Sequence, residues 1–474
     1  KRTLYIGEDE LIVGEKGNEP QTAPTFPELC CHTPEDLEVM DKRKYISFKV
    51  SHESKKEHEE IIIPYWHNKS MRPKILSNMS QEWKNCYEAG IFTEFMEQRA
   101  PGHTVADDKI YKKGFQDFKQ DIEESINNLD FFNDEEALDK KQQLEAMLIS
   151  CDAIMIYGQR YADLARDLAE KETDSKRKKE LMWIASNCDF VPANKPTTFA
   201  QAVQMYWFVH IGVTTELNTW DAFSPGRLDQ YLYPFYKKEV EEGTLTKEQA
   251  KEILECLWVK FNNQPAPPKV GITLKESATY TDFVNINTGG ISPYTGEDGV
   301  NQVSYIILEV MDEMKLLQPS SNVQISKKTP KEFLKEAIKI SRKGWGQPAF
   351  YNTEELIEEL IIAGKTPEDA MYGGSSGCVE TGAHGREAYI LTGYFNLPKV
   401  LELTLNDGFD KETGVQLGLQ LMQGKEFTSF EEVLDAYRKQ MKHFIDIKIK
   451  GNNIIERLFG ENMPATFLSV IMED

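Results

Sequence analysis

The stretch "MYGGSSGCVETGAHG" at residues 371–385 sets Cys378 in a run of glycine and serine, with Glu380 two residues later and His384 six residues later. Four readings are open to these residue types. A lone cysteine is ordinarily a small buried hydrophobe, but "GGSSG" supplies no apolar neighbours to bury it against. Gly373-Gly-Ser375-Ser-Gly377 fits G-x-S-x-G, the nucleophile elbow, which needs a strand before the serine and a helix after it. Here "KTPEDAMY" opens with a helix cap and "CVETGAHG" is too glycine-rich for a helix. Cys378 with His384 would make the thiolate and base of a cysteine hydrolase, although no cation is in view to favour the thiolate and Glu380 disfavours it. Cys378 with Glu380 makes a different pair. In extended chain, residues two apart point to one side, so a neutral thiol and a carboxyl would face one substrate. That suits chemistry in which sulfur exchanges a hydrogen atom and the carboxyl moves a proton.

Holding such a loop requires framing elements. Thr198-Phe-Ala-Gln201, Thr246-Lys-Glu-Gln249, Thr329-Pro-Lys-Glu332 and Ser429-Phe-Glu-Glu432 each place a hydroxyl at N-cap and Glu or Gln at N3, the third with proline at N1. Apolar residues then recur at helical spacing, as in Ala250, Ile253, Leu254, Leu257, Trp258 and Phe261. Between the helices, "YISFKV" (45–50), "EIIIPYW" (60–66), "DFVNIN" (282–287), "NVQIS" (322–326) and "AFYN" (349–352) have strand character. Strands alternating with helices predict an α/β layout with buried strands. There is no internal repeat or flexible linker, so one large body is expected.

Composition narrows the function. The 474 residues carry a formal charge of −22, spread through helix-like stretches, which argues against nucleic acid or anionic membrane as a partner. No segment reaches the roughly 18 uninterrupted apolar residues of a spanning helix, and the N-terminal residues do not read as a signal peptide, so a cytoplasmic protein is expected. The seven cysteines, at 30, 31, 86, 151, 188, 256 and 378, are odd in number, scattered, and lack the spacing of a disulfide framework or metal site. No metal is expected.

"GCVE" on its Gly/Ser-rich loop resembles the cysteine loop of the glycyl radical enzymes, the family of pyruvate formate-lyase and of the diol, choline and hydroxyproline eliminases. "SPGRLDQYLYPFY" (224–236), "NINTGG" (285–290) and "GEDELIVGEKG" (7–17) carry the same resemblance, in order, along essentially the whole chain. It implies a ten-stranded α/β barrel built from two five-stranded half-barrels, surrounded by helices, with the cysteine loop at its centre. It also implies a protein glycyl radical installed by a radical S-adenosylmethionine activating enzyme, no bound cofactor, and a homodimer. A cysteine followed two residues later by glutamate marks the eliminase branches. The family's "RVxGY"-type glycine motif does not occur between Lys1 and Asp474, so residues 1–474 are expected to be a partial catalytic domain without the glycine radical domain.

"FTEFMEQRAPGHT" (92–104), "NTWDAFSPGR" (218–227), "KESATYTDF" (275–283) and residues 377–406 are most similar to the branch that dehydrates trans-4-hydroxy-L-proline. The resemblance makes Cys378 the thiyl residue, Glu380 its acid/base partner, His103 the histidine near the leaving hydroxyl and Asp221 an active-site aspartate. It sets Phe95, Ser277, Asp282, Phe283 and Tyr394 around the substrate. Without it, His103 reads as a turn hydrogen-bonder, Asp221 as an Asx-turn residue, and the three aromatics as core. His384 is left outside the site, and Arg227 with Asp229 reads as a buried structural pair. Related eliminases acting on hydroxy-D-proline, cleaving the ring C–N bond or dehydrating diols share these residue types. A cysteine hydrolase or a silent scaffold remains the alternative from outside the family.

Overall fold

The computed structural model describes residues 3–44, 46–93, 104–217, 223–265, 274, 284–377, 379–388 and 393–472. The largest core forms around helix α3 (Phe199–Leu217), whose sequence is apolar on every face and which is accordingly buried on nearly every face. Helices α1 (Ala137–Lys171), α2 (Ser175–Phe190), α4 (Leu228–Glu242) and α5 (Lys247–Asn262) pack around it. Helix α5 begins at the expected capping box on Thr246 and buries all six residues of its expected apolar stripe. A second core joins Trp83 and Phe92 to Val400, Leu403 and Phe444.

Beside the first core lies a parallel sheet in the order β1 (Asn285–Gly289), β2 (Ser320–Ile325), β3 (Ala349–Asn352). Helix α6 (Gln302–Met314) connects β1 to β2, and helix α7 (Lys331–Ser341) connects β2 to β3, the crossover that parallel pairing demands. An antiparallel hairpin, β4 (Gly373–Ser376) and β5 (Glu380–Ala383), abuts β1. The layout is helix-rich α/β, and three of the five expected strands form.

The other two do not. Residues 58–66 are helical, as a π-turn at His58–Ile62 followed by an α-turn at Ile63–Trp66. Pro64 lacks the N–H that an α-helical ladder would use, and the wider turn just before it accommodates that loss. Residues 46–50 join no sheet among the described residues; Phe48 and Val50 instead cover Leu37 and Met40 of helix Pro34–Lys42. The expected cap at Thr329 also fails. Its hydroxyl accepts from Ser326 N and donates to Asp298, so α7 starts after Pro330 without a side-chain cap.

Arg227 and Asp229 are both buried, but not as a mutual pair. Arg227 donates to the carbonyls of Ile291 and Gly373, while Asp229 accepts from Gly289 N at 2.8 Å, Gln230 N at 2.9 Å and the Ser304 hydroxyl. Each charge is satisfied by backbone and hydroxyl groups instead, so the two together tie β1, α4, α6 and the hairpin. Burial pushes the Asp229 carboxyl up to about 6 against those three donors.

Candidate active site

The cysteine loop is a hairpin. Thr366 caps the short helix Pro367–Ala370 by accepting from Asp369 N, and the chain then enters β4. The register pairs Gly374 with Gly382, Ser375 with Thr381 and Ser376 with Glu380. Strand β5 follows where an elbow would require a helix, which removes the G-x-S-x-G reading. Cross-strand partners share a face, so the Glu380 side chain lies on the side of Ser376. Glu380 is half-buried, and its carboxylate accepts from Val379 N at 3.0 Å.

Side chains of the parallel sheet, not peptide groups, dock the hairpin. Asn287 Oδ1 accepts from Ser375 N at 2.9 Å while Asn287 Nδ2 donates to Ser375 O at 2.8 Å. Asn322 Nδ2 donates to Ser375 Oγ at 2.6 Å and to Asn285 Oδ1 at 3.1 Å, and Asn285 Nδ2 donates to the Gly377 carbonyl at 3.3 Å. Gln324 Nε2 donates to Asn287 Oδ1 at 2.9 Å and to the Gly373 carbonyl at 3.2 Å. All four amides are buried, where an unpaired polar group is costly, so they fix one geometry.

Of the nine expected site residues, Glu380 and Tyr394 are described; Cys378, His103, Asp221, Phe95, Ser277, Asp282 and Phe283 lie outside the described residues. The described residues that flank them converge. Ser224, just after residues 218–222, donates to Ser376 Oγ at 3.5 Å and accepts from Asn285 N at 3.1 Å. Thr104, just after His103, accepts from Gly385 N at 2.7 Å. Asn285 follows residues 275–283 and bonds the hairpin directly, as above. Thr93 N donates to Tyr394 O at 3.0 Å, Tyr394 N donates to Thr93 Oγ1 at 2.9 Å, and Phe92 pairs with Phe395, which joins the Phe95 segment to that of Tyr394. Tyr394 itself is more than half exposed.

The electrostatics separate His384 from acid–base work. Its ring is fully buried beside Gly374, and burial, reinforced by the Arg227 guanidinium, pushes its pKa down to about 3. A ring so disfavoured as imidazolium is a poor partner for a thiolate, which weakens the Cys378–His384 hydrolase reading. Asp107 is buried against Arg386, and burial pushes its carboxyl up to about 6 despite that cation. Arg386 also lies 3.7 Å over the Tyr372 ring. Elsewhere burial pushes the Cys86 and Cys151 thiols up to about 12, so these stay neutral and unreactive. Among the described residues no His/Cys/Asp/Glu cluster could hold a metal, and no helix is long and apolar enough to cross a membrane.

A family model described as pyruvate formate lyase-like matches residues 1–474. The chain belongs to that family. It is 64% identical over 473 residues to the trans-4-hydroxy-L-proline dehydratase of Clostridioides difficile, covering 100% of this chain and 60% of that protein. The crystal structure of hydroxyproline dehydratase from C. difficile with trans-4-hydroxy-L-proline bound superposes with a TM-score of 0.95 at 64% identity, covering 100% of this chain and 60% of that one. The glycerol-bound B12-independent glycerol dehydratase from Clostridium butyricum superposes with a TM-score of 0.92 at 33% identity, covering 100% and 59%. The chain thus spans about three fifths of the length of the relatives it matches. The helix-rich α/β fold is that of these glycyl radical relatives.

Within this pyruvate formate lyase-like chain, sequence reasoning missed the residues that hold the hairpin: Asn285, Asn287, Asn322, Gln324 and Ser224. The signal of the four carboxamides was present in "NINTGG" and "NVQIS", where they recur at i and i+2 in strand-like segments. Alternation marks a polar face, ordinarily taken as the solvent side. In this family member it faces a second buried strand.

Proposed function

We propose that this chain is the substrate-binding and thiyl-bearing part of a glycyl radical dehydratase that removes water from trans-4-hydroxy-L-proline to give pyrroline-5-carboxylate. The observation that carries the reading is the convergence on one hairpin of the flanks of the Cys378, His103, Asp221 and Ser277–Phe283 segments, in a chain 64% identical throughout to a protein named for that reaction. In the full-length protein the residues would complete a ten-stranded barrel of two half-barrels. The radical glycine would lie outside these 474 residues, and a radical S-adenosylmethionine activating enzyme would install it in a cytoplasmic homodimer.

The glycyl radical supplies the one-electron oxidising equivalent. Everything else falls to this chain. Once its own S–H hydrogen has passed to that radical, Cys378 sulfur takes a hydrogen atom from C5, next to the ring nitrogen, re-forming S–H and leaving a carbon radical that labilises the C4–O bond. Hydroxide is a poor leaving group, so Glu380, with His103 beside the hydroxyl, delivers the proton that makes it water, a role worth about 10²–10⁴-fold. The ring nitrogen gives up a proton, which restores the Glu380 acid, the same S–H returns a hydrogen atom to carbon, and the product settles as pyrroline-5-carboxylate. Asp221 and Asp282 suit the ring ammonium, Ser277 the carboxylate, and Phe95, Phe283 and Tyr394 the apolar walls; a dry site must pair both charges of a zwitterion. The buried amide platform suits this chemistry because it holds the cysteine hairpin through several side-chain hydrogen bonds at once.

The test is product formation by activated full-length protein offered trans-4-hydroxy-L-proline, its D-isomer, glycerol, choline and isethionate separately. Turnover of the L-isomer supports the reading. Turnover of the D-isomer alone, ring C–N cleavage, or turnover of glycerol, choline or isethionate with no proline isomer replaces it with another eliminase.

A further inference from the structure

Three buried carboxamides each grip the N–H and C=O of one residue outside their own helix or strand. Gln204 holds Val13 at 2.9 and 2.8 Å, Asn287 holds Ser375 at 2.9 and 2.8 Å, and Gln440 holds Leu419 at 2.9 and 2.6 Å. All three side chains are at most 2% exposed. A carboxamide presents one donor face and one acceptor atom, as a peptide group does, so it substitutes for a neighbouring strand at a single residue. For Val13 and Leu419 this anchors a segment away from the cysteine hairpin. For Ser375 it anchors the strand that runs, three residues later, into Cys378.

The Asn287 grip also admits little slack. Gly374 approaches so closely that a Cβ there would lie 2.8 Å from the His384 ring and 2.9 Å from Asn287 Oδ1. Ser375 has its other face occupied, since β5 pairs with it through Thr381 and Asn322 holds its hydroxyl. Asn285, Asn322 and Gln324 add donors to the hairpin, but of these four side chains Asn287 is the one that holds both the N–H and the C=O of one hairpin residue, so it fixes the spacing of sheet and hairpin at Ser375.

Building on the reading that Cys378 abstracts the hydrogen atom, we propose that Asn287 is a positioning residue whose two-point hold on Ser375 sets, within the carboxamide platform, how far the cysteine hairpin reaches toward the substrate. It acts through Ser375 and touches no reacting atom. Hydrogen transfer is steep in distance, and a displacement of about 1 Å costs about 100-fold in rate. Substrate binding, made by other segments, is spared.

The experiment compares Asn287→Ala with Gln440→Ala in full-length anaerobic protein, normalised to radical content. Asn287→Ala is expected to lose about 100-fold in kcat with KM within about threefold; Gln440→Ala, losing the same kind of grip elsewhere, keeps wild-type kcat. Wild-type kcat in Asn287→Ala overturns the proposal, as does an equal loss in both variants. Should Asn287→Ala fail to fold, Asn287→Asp keeps the size and loses the donor only while ionised. Its kcat relative to wild type should rise as pH is lowered, because the protonated acid donates to Ser375 O again; a flat ratio overturns the proposal. Failure of the underlying functional reading shows separately, as a wild-type protein without turnover. In that event the iodoacetamide alkylation rate of Cys378 in the resting protein decides: a changed rate in Asn287→Ala but not Gln440→Ala supports positioning, and an unchanged rate removes it.

Discussion

The backbone N–H of Gly385 donates to the carbonyl of Thr104 at 2.7 Å, joining the residue after His103 to the turn that follows the cysteine hairpin. A second tie runs parallel to it, because Asp107 on the Thr104 side holds Arg386 on the hairpin side. Residues 104–107, which follow His103 in sequence, are therefore tethered to the chain just after the strand that carries Glu380. In the proposed mechanism His103 and Glu380 act on one hydroxyl.

Gly385→Ala tests that tether. Gly385 has φ +76°, and an added Cβ would lie 2.3 Å from Asp107 Oδ2, so the alanine meets both left-handed strain and a displaced carboxylate. Left-handed strain alone is worth about 1–2 kcal/mol. Gly344, at φ +80° with open space around its Cβ position, isolates that part. Urea denaturation should show Gly385→Ala losing about 2 kcal/mol or more and distinctly more than Gly344→Ala. Equal losses would mean that Asp107 yields freely and the tether is soft.

His384 gives a pH signature. Its folded pKa, depressed to about 3 by burial and then by Arg227, lies below the unfolded value of 6.5, so the unfolded chain binds the proton first. The stability contribution is fully present above the unfolded pKa and is lost as pH falls from 6.5 toward 3. Asp107 and Asp229, both raised to about 6 by burial, act oppositely and are relieved as pH falls through 6. The comparison must therefore be by difference. Between pH 7 and 5 wild type should lose about 2 kcal/mol more than His384→Leu, measured by chemical denaturation at both values. Equal losses would show that the ring protonates in the folded state.

How far the sequence revealed this depends on what each residue's signal competes with. Thr246 and the apolar stripe of α5 were legible because capping and helical period are local and agree. "EIIIPYW" was misread because β-branched composition outweighed a proline whose effect is felt a turn earlier, as the π-turn at His58–Ile62. Thr329 has the cap pattern, but Asp298, thirty-one residues away, claims its hydroxyl. The cysteine loop was legible as a loop of unusual composition. Its platform was not, since Asn287 and Gln324 look like solvent-facing strand residues until β4 is seen against them. Arg227 and Asp229 were correctly expected to be buried, but opposite charge near in sequence suggested a mutual bond that backbone groups supply instead.

Cys378→Ser, in the complete activated protein, should leave the glycyl radical formed and abolish turnover. On the proposed reading the radical is stored on glycine and used through sulfur, and a serine O–H bond is too strong to relay it. Electron paramagnetic resonance and a product assay on one sample make the measurement. Normal turnover with serine would take Cys378 out of the reaction.

Glu380→Gln should cost far more in kcat than in KM. Glu380 opens β5 opposite Ser376, in a strand whose partner is fixed by Asn287 and Asn322, so the substitution leaves the backbone in place. Glutamine keeps the size and still hydrogen-bonds a hydroxyl, and the substrate should dock with KM within about threefold. It holds no exchangeable acid proton, so the part of the rate due to general acid catalysis, about 10²–10⁴-fold, disappears from kcat. His103→Gln, in parallel, should lose less if the histidine only orients the hydroxyl and a comparable amount if it shares the proton. Both variants must be assayed at equal radical content, because a loss of radical imitates a loss of rate. Wild-type kcat in Glu380→Gln with greatly weakened binding would make the carboxylate a substrate anchor and transfer the acid role to His103.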